Sequence, residues 1–252
     1  MRSGGFSMQT NIYGQTVGRP LPGFTPGGKP EISRIDGKWC SVVRLKGQEL
    51  TEKAAECYLS MSPEDWTYLP LEPVQTMEQA LALAGSMAAT EDPYQLAVLD
   101  RGSGEVLGTF SIMSLNPADR SAEMGWVIYG PKLKHTRIAT EAQYLVMKYV
   151  FEVMGYRRYE WKCDSLNKPS ANAARRLGFT SEGTFRNYVV YKGRNRDTSW
   201  FSIIDSEWPS VKAAFERYLR DDNFDENGIQ KEPLRARAFQ RACDDESDFM
   251  TI

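Results

Sequence analysis

A loop with basic residues and a histidine connects a predicted strand to a predicted helix near the middle of the chain. The strand ends at Gly130, the loop contains Lys134 and His135, and the helix begins near Arg137 or Ile138. The first turn of a helix has backbone N–H groups without intrahelical acceptors and the positive end of the helix dipole, so a pyrophosphate binds well there. The basic side chains would add charge and donors. The spacing indicates an anion site, and an ordinary turn with solvated basic residues is the alternative.

The composition is typical of a globular protein. The chain has 252 residues, of which 41% are hydrophobic, which suits one large domain or one domain with tails. Its apolar runs are short and interrupted by charge, and the first residues lack an apolar stretch like that of a secretory signal. The net charge of −2 provides no overall field that would attract nucleic acid. We therefore expect a cytoplasmic protein with neither a membrane nor a nucleic acid as its partner.

The cysteines are too widely spaced to indicate a metal site. Cys40, Cys57, Cys163 and Cys243 show no C-x-x-C spacing, and His135 is the only histidine in the sequence. Without a signal for an oxidising compartment, reduced and mostly buried thiols are expected. The sequence thus predicts no metal cofactor.

The chain divides into three predicted parts. Residues 1–38 are rich in glycine and proline and predict an irregular arm or a disordered tail, outside the core. Residues 39–208 carry the periodic patterns of a folded domain. The remainder, 209–252, begins with a helix that starts at Pro209 within WPSVKAAFERYL, and it continues from Arg220 as a charged segment without a core pattern, expected to be peripheral or disordered.

The periodicity within the domain predicts alternating strands and helices. WCSVVRLK alternates as a strand, and two helices follow, with Thr51 and Thr76 as candidate N-caps. Three strands, QLAVLD, VLGTFSIMSL and SAEMGWVIYG, are joined by short polar loops that favour antiparallel hairpins. A long amphipathic helix ending at Gly155, the strand RRYEWKCD, a short helix ending at Gly178 and two more strands complete the pattern. We expect a mixed α/β fold with a twisted sheet of about seven strands.

Three motifs that occur in order along this domain resemble a known superfamily. AEMGWVIYG resembles an E-x-G-Y/W strand, PKLKHTRIATEA a P-x-x-Q/R-x-x-G-x-G/A-T-E-A loop, and DSLNKPSANAARRLGFTSEG a D-x-x-N-x-x-S segment followed by LGF-x-x-EG. Together they cover roughly residues 40–208 and resemble the GNAT superfamily of N-acetyltransferases, in particular the branch of the RimJ/RimL-type ribosomal-protein N-acetyltransferases.

The resemblance implies a GNAT fold, whose central parallel strands are splayed and whose helices lie on both faces, with acetyl-CoA as the co-substrate. It implies that Ile128 and Tyr129 offer main-chain hydrogen bonds to the pantetheine arm and the acetyl carbonyl. The further residues that it places at the coenzyme are Lys134, His135, Thr136, Arg137, Ile138, Ala139, Thr140 and Asn167.

Two positions depart from the pattern of the superfamily. Arg137 stands where glycine is usual, so the loop has no glycine-only conformation there. Ala174 stands where many members have a tyrosine that protonates the departing thiolate. Ser170 is then the better candidate for that role, and the alternative is a serine that merely caps a helix.

The catalytic base implied by the resemblance is Glu123, acting on the amine through a water molecule. The alternative is that Glu123 pairs with a neighbouring arginine or lysine on the face of the sheet. Glu160 and Asp164 on the facing strand are weaker candidates, and a further acidic position of the branch falls on Val189.

The acceptor is the least defined part of the prediction. Several aromatic residues could line an acceptor pocket or belong to the core: Trp66, Tyr68, Trp126, Trp161, Tyr188 and Trp200. The basic run KGRNRD could recognise an acidic acceptor or be a solvated hairpin tip. We expect a primary amine of a small molecule to be acetylated by direct attack in a ternary complex. An N-terminal peptide acceptor and a non-catalytic acyl-CoA-binding module are the alternatives, and the sequence leaves a homodimer open.

Overall fold

The computed structural model describes residues 9–226 and 228–236, which contain ten strands and five α-helices. The strands are β1 (Gln9–Thr10), β2 (Thr16–Val17), β3 (Arg34–Asp36), β4 (Cys40–Arg44), β5 (Tyr94–Asp100), β6 (Val106–Asn116), β7 (Ser121–Tyr129), β8 (Arg158–Asp164), β9 (Thr180–Tyr191) and β10 (Arg194–Ile204). The helices are α1 (Gln48–Leu59), α2 (Met77–Ala88), α3 (Arg137–Lys148), α4 (Lys168–Arg176) and α5 (Trp208–Tyr218). Short 3-10 turns lie at Pro63–Trp66 and Asp221–Asn223, and a π-helical turn, Tyr149–Val153, continues α3.

Eight strands form the main sheet in the order β3-β4-β5-β6-β7-β8-β10-β9. Every neighbouring pair is antiparallel except β7 and β8, which are parallel. The mixed α/β architecture is therefore as predicted, but the sheet has eight strands instead of about seven. The additional strand is β3, where Arg34 pairs with Val43 along the edge of β4.

The two parallel strands separate halfway along their length. They pair from Ser121 and Arg158 to Met124 and Trp161, and beyond that point β7 pairs only with β6 while β8 pairs only with β10. A β-bulge lies just past the separation, because two residues of β7, Trp126 and Val127, oppose one residue of β6. A bulge turns a strand locally and increases its twist. The result is an opening in the centre of the sheet.

The helices cover both faces of the sheet with apolar side chains. One core lies between the sheet and helices α3, α4 and α5, where Tyr144, Trp208 and Phe215 stack on one another. A smaller core lies between the opposite face and helices α1 and α2, and it includes Tyr58 and Trp66. Burying each large apolar side chain contributes about 1.5–3 kcal/mol.

Both chain extensions contribute to the core, contrary to the sequence analysis. In the predicted arm, Ile32 is buried. In the predicted charged tail, Phe224, Leu234 and Ala236 are buried in the larger core. The extensions lack helical or strand periodicity, and their few apolar residues dock individually on the domain. The end of the predicted tail, 237–252, lies outside the described residues.

The two candidate N-caps of the first helices behave differently. The side chain of Thr76 caps α2, as predicted, by accepting a hydrogen bond of 3.3 Å from Gln79 N. Thr51 is not an N-cap, because α1 begins earlier, after Gly47, whose φ of 87° lies in the left-handed region. The Thr51 hydroxyl instead donates to the carbonyl oxygens of Gly47 and Gln48.

The buried carboxylate of Glu141 joins α3 to the turn between β3 and β4. It accepts hydrogen bonds from the backbone N–H groups of Lys38 at 2.6 Å, Trp39 at 2.8 Å and Cys40 at 2.8 Å. This turn approaches so closely that a Cβ atom on Gly37 would lie 2.5 Å from the Glu141 Cδ atom. Three charge-assisted bonds hold the carboxylate in place, so it cannot move aside without losing them. Gly37 is required for this close approach.

Replacing Gly37 by alanine should therefore destabilise the fold, whereas the same change at Gly28 should not. A Cβ atom at Gly28 would meet nothing within 4 Å. We expect Gly37→Ala to lower the free energy of unfolding by about 1–3 kcal/mol, measured by urea denaturation. Equal stability of the Gly37→Ala and Gly28→Ala variants would contradict the proposed constraint.

Candidate active site

The loop after β7 leads into α3 as the sequence predicted. The helix begins at Arg137, and Thr136 is its N-cap, with the Thr136 hydroxyl oxygen accepting a bond of 3.1 Å from Ala139 N. Thr140 N donates to Thr136 O at 3.4 Å. Within the described part of the chain, the backbone N–H groups of His135, Arg137 and Ile138 have no acceptor. These three donors lie together at the positive end of a helix dipole, which is the geometry of an anion site.

The side chains of the loop have mainly internal partners. Lys134 forms an ion pair with Asp65 of the first 3-10 turn. Partial burial acts to raise the pKa of Asp65, but the Lys134 ammonium outweighs it and holds that pKa below its usual value. The Thr140 hydroxyl oxygen accepts a bond of 3.1 Å from Arg176 Nη1, and His135 is exposed with a φ of 62°. Donors for an anion are therefore mainly backbone groups.

Arg137 fits the position where the superfamily has glycine because it lies in the first turn of the helix with an ordinary φ. No left-handed conformation is needed there. Its guanidinium group stacks on two aromatic rings, 4.6 Å from the centroid of Trp39 and 5.3 Å from that of Phe224. The larger side chain is thus directed to the side of the loop, and the backbone N–H groups stay open.

Backbone groups of β7 face the opening between β7 and β8. Gly130 N donates to Leu107 O of β6 at 3.0 Å. Because hydrogen-bonding direction alternates along a regular strand, the amide groups of Ile128 also point toward β6, which differs from the coenzyme contact that the resemblance implies for Ile128, and those of Tyr129 point into the opening. The Tyr129 phenol itself is internal, since its oxygen accepts a bond of 2.7 Å from Gln143 Nε2.

A cluster of buried charges borders the same opening. Ala122 and Met124 pack in the larger core, so Glu123 between them points to the opposite face of the sheet. The Lys162 ammonium lies 2.8 Å from Glu123 Oε2 and 2.9 Å from Glu160 Oε2, with side-chain exposures of 13%, 9% and 14% for Lys162, Glu123 and Glu160. Glu123 thus has the cationic partner that the sequence analysis considered as the alternative.

Lys162 holds its charge firmly. Burial acts to lower the pKa of Lys162, but the carboxylates of Glu123 and Glu160 outweigh it and raise the pKa above its ordinary value. The ammonium also lies 3.9 Å from the ring centroid of Trp200. The Ser114 hydroxyl donates to Glu123 Oε2 at 2.9 Å. Lys162 is therefore a fixed cation that orients Glu123, and it is neither a base nor a nucleophile at neutral pH.

Ser170 and Asn167 occupy the start of α4. Asn167 is the N-cap, and its side-chain oxygen accepts a bond of 3.1 Å from Ser170 N. The Ser170 hydroxyl oxygen accepts a bond of 3.0 Å from Trp161 Nε1. Ser170 is thus not the cap of this helix, and because the indole is only a donor, the hydroxyl proton of Ser170 is free to be donated elsewhere. The neighbouring Cys163 thiol lies within its reach.

The segment between α1 and α2 extends over the opening on the face that carries Glu123. Tyr68 Oη donates to Leu166 O of the loop between β8 and α4 at 3.1 Å. From the tip of the β9–β10 hairpin, Lys192 Nζ donates to Trp66 O at 2.9 Å, and Arg194 Nη2 donates to Thr67 O at 2.8 Å. Asp65 of the same segment pairs with Lys134 in the loop after β7. We call residues 63–69 the roof segment, because these contacts tie it to elements on both sides of the opening.

The aromatic and basic candidates for acceptor recognition fall into different environments. Trp66 and Trp161 are buried in the two cores. Tyr188 and Trp200 form a partly exposed group with Phe185, with ring centroids 4.9–5.9 Å apart. In the basic run, Lys192 and Arg194 serve the roof segment, an internal role that the sequence analysis did not consider.

Sequence reasoning missed Lys162 and the aromatic partners of Arg137. Lys162 could have been predicted from the sequence. Residues 160 and 162 are two apart on a predicted strand, so their side chains share one face, and this strand runs beside the one that carries Glu123. Asp164 was a candidate, but it is buried and accepts bonds from Tyr191 Oη at 2.8 Å and Leu166 N at 2.9 Å. Both carboxylate oxygens of Asp164 are held by these bonds, so Asp164 is a weaker candidate base than Glu123.

The described cysteines are buried free thiols. They are Cys40, Cys57 and Cys163, while Cys243 lies outside the described residues. Burial raises the pKa of Cys163 and raises that of Cys57 to about 11. Over the described ranges, no group of three or more histidine, cysteine or acidic side chains has the arrangement of a metal site. The helices described there include none long and apolar enough to cross a bilayer.

Replacing Lys162 by methionine should show how much its charge contributes to the free energy of unfolding through Glu123 and Glu160. Lys162→Met leaves Glu123 without its cation, and breaking a buried pair costs about 3–5 kcal/mol of the free energy of unfolding at neutral pH. In the wild type, the raised pKa of Lys162 means that its contribution is complete below the ordinary value of 10.5 and is lost only as pH rises through the raised value.

The measurement is urea denaturation at several pH values, with Lys53→Met as the control. Lys53 forms an exposed pair with Glu49 at 2.8 Å, which should contribute less than about 1 kcal/mol. A Lys162→Met deficit at neutral pH that is no larger than that of Lys53→Met would contradict the coupling.

Comparison with known proteins agrees with this geometry. The family model described as an acetyltransferase (GNAT) domain matches residues 44–180. The structure is similar to that of a GCN5-related N-acetyltransferase from Brucella melitensis, with 40% sequence identity and a TM-score of 0.82, covering 85% of this chain and 97% of that one.

Relatives of known sequence are also N-acetyltransferases. The uncharacterized N-acetyltransferase YoaA of Bacillus subtilis is 27% identical over 166 residues, which are 64% of this chain and 93% of the relative. The putative ribosomal N-acetyltransferase YdaF of B. subtilis is 28% identical over 109 residues (43% and 59%), and the spermidine N(1)-acetyltransferase of Escherichia coli is 27% identical over 105 residues (42% and 56%). A matching family model over more than half of the chain, together with the splayed parallel pair and the open helix start, confirms the resemblance. The chain belongs to the GNAT family of acetyltransferases.

Proposed function

We propose that this acetyltransferase transfers the acetyl group of acetyl-CoA to a primary amine of a small molecule, by direct attack of the amine in a ternary complex. The observation that carries the choice of a small acceptor is the roof segment. Its ion pair with Lys134 on the β7 side, and its bonds to Leu166, Lys192 and Arg194 on the β8 side, carry it across the opening on the face that carries Glu123. An enclosed opening suits a compact amine better than an extended peptide.

The residues present fit the coenzyme. The free N–H groups of His135, Arg137 and Ile138 would take the pyrophosphate, and main-chain groups of β7 that face the opening, such as those of Tyr129, would take the pantetheine arm and the acetyl carbonyl. When bound, the coenzyme supplies the thioester that is the acetyl donor. Asn167 would act indirectly, as the cap that fixes the start of α4 beside the opening.

Glu123 is the proposed base and would take the proton of the acceptor amine through a water molecule. The carboxylate lies beside the parting strands, and Lys162 and Ser114 hold only one of its oxygens, Oε2. The other oxygen has no hydrogen-bond partner among the described residues. A carboxylate with one anchored and one free oxygen is well placed for proton transfer.

Ser170 is the proposed donor of a proton to the departing thiolate. Its oxygen is positioned by Trp161 Nε1, and its own proton faces only the Cys163 thiol, a weak acceptor, so it can be given to a thiolate. Cys163 is unsuited to act as a nucleophile, because burial raises the pKa of its thiol and keeps it protonated. This favours direct transfer over an acetyl-enzyme intermediate.

Two alternatives follow from particular observations. The relative YdaF is a putative ribosomal N-acetyltransferase, which keeps an N-terminal peptide as the second candidate acceptor. The pairing of Glu123 with Lys162 is the feature that would suit a coenzyme-binding module without turnover. The named spermidine acetyltransferase among the relatives supports the small-amine proposal. The choice of acceptor does not depend on the cytoplasmic location that we propose or on the oligomeric state.

The test is release of free CoA from acetyl-CoA in the presence of a panel of acceptors. The panel contains polyamines, amino acids, aminoglycosides, arylamines and N-terminal peptides, and a thiol reagent follows the reaction. We expect release with at least one small amine and none above background with peptides. Faster release with peptides would replace the proposal by the protein acetyltransferase, and binding of acetyl-CoA without release across the panel would favour the binding module.

Loss of the Glu123 carboxylate should affect turnover and not coenzyme binding. General base catalysis contributes about 10²–10⁴-fold, so Glu123→Gln should lower kcat by a factor in this range. The dissociation constant for acetyl-CoA, measured by calorimetry, should stay within about twofold of the wild type. Glu182→Gln is the matched control, because Glu182 pairs with Arg158 at 2.5 Å and not with the central lysine. Equal losses in both variants would argue against Glu123 as the base.

A further inference from the structure

Arg137 belongs to a group of cations and aromatic rings that contact one another beside the start of α3. Its guanidinium lies 4.6 Å from the centroid of Trp39 and 5.3 Å from that of Phe224, and these two rings are themselves in edge contact at 6.2 Å. Trp39 comes from the turn between β3 and β4, and Phe224 follows the 3-10 turn after α5. Distant parts of the chain therefore combine to fix one guanidinium group.

The stack continues in both directions from this pair of rings. Phe224 contacts Tyr218 edge-on at 5.5 Å, and Arg176 lies 5.2 Å from the Tyr218 ring. At the other end, Lys38 lies 5.2 Å from the Trp39 ring and forms an ion pair with Asp221. We call the set of Lys38, Trp39, Arg137, Phe224, Tyr218 and Arg176 the cation–aromatic stack.

The charge of the stack is not balanced. Lys38 has the carboxylate of Asp221, but neither Arg137 nor Arg176 forms an ion pair within the described part of the chain. The guanidinium of Arg137 also makes no hydrogen bond there, although it is half-buried. Guanidinium groups present several N–H donors in a plane, and they bind phosphate oxygens in pairs. A fixed guanidinium with free donors is prepared for an anion.

The geometry points to Arg137 as the group that binds the 3′-phosphate of the coenzyme, with the segment that carries Phe224 as its support. This inference rests on the proposed function, since it assumes that acetyl-CoA is the donor. The backbone N–H groups at the start of α3 are assigned to the pyrophosphate, and the remaining anionic group of the coenzyme is the phosphate monoester on the ribose. That group carries up to two negative charges and attracts a nearby guanidinium strongly.

The aromatic rings explain why the arginine is effective at a position where glycine is usual. Contact with the rings of Trp39 and Phe224 limits the rotamers of Arg137 before the ligand arrives, so less conformational entropy is lost on binding. Cation–π contacts leave the edge of the guanidinium, with its N–H groups, free for the phosphate. Phe224 is a positioning residue in this scheme, because it acts through Arg137.

The experiment compares binding of acetyl-CoA with binding of its 3′-dephospho analogue by calorimetry, without an acceptor. A charge-assisted contact of this kind corresponds to about tenfold to a hundredfold in affinity, so the wild type should prefer acetyl-CoA by that factor. Arg137→Ala should bind both compounds with nearly equal affinity, close to that of the wild type for the dephospho compound. Phe224→Leu, which keeps an apolar side chain but removes the ring, should show a reduced preference.

Arg186→Ala on the exposed edge strand β9 is the matched control for loss of one positive charge, and it should keep the full preference. Thermal melting without ligand establishes that each variant is folded, and Arg137→Lys, which keeps the charge without the planar donors, provides a second variant. A wild type that binds both compounds equally, or an Arg137→Ala variant that still prefers acetyl-CoA fully, would overturn the inference. A wild type that binds neither compound would instead refute the proposed function.

Discussion

The separation of β7 from β8 after the pair of Met124 and Trp161 is the constraint on which the rest of the structure depends. Up to that point the two strands share a parallel ladder, and beyond it each has only its outer neighbour. The inner backbone groups of β7 then lack a strand partner, which in a buried sheet is costly unless another group satisfies them. The bulge at Trp126 turns the strand away and sustains the opening. The proposed coenzyme arm would occupy this gap.

The opening is useful only because the elements around it are held rigidly. Glu141 fastens the first turns of α3 to the β3–β4 turn through three backbone bonds. Thr136 caps the helix so that the remaining amides point outward together. On the other face, Tyr68 ties the roof segment to the loop after β8. Interactions of this kind pre-organise a site, since the donors need not be ordered when a ligand binds.

The charges of Glu123, Glu160 and Lys162 affect both the stability of the sheet and the chemistry beside the opening. Lys162 neutralises two carboxylates that would otherwise repel each other in a buried position, and it directs Glu123 toward the opening. The same pairing holds Oε2 of Glu123, which leaves Oε1 as the oxygen available for chemistry. The family comparison supports catalysis in spite of this pairing, because relatives such as the spermidine N(1)-acetyltransferase of E. coli are acetyltransferases.

The sequence alone determined the helices and strands of the domain, the start of α3, and the placement of Glu123 on the strand before the loop, because these depend on periodicity and on caps a few residues apart. It did not reveal that Arg34–Asp36 would extend the sheet, or that Phe224 would support Arg137. Those contacts join segments far apart in the chain, and short aperiodic stretches carry no signal of their partner. Only the tertiary structure decided which cation stands beside Glu123, because that choice depends on the register of two strands that lie next to each other in space.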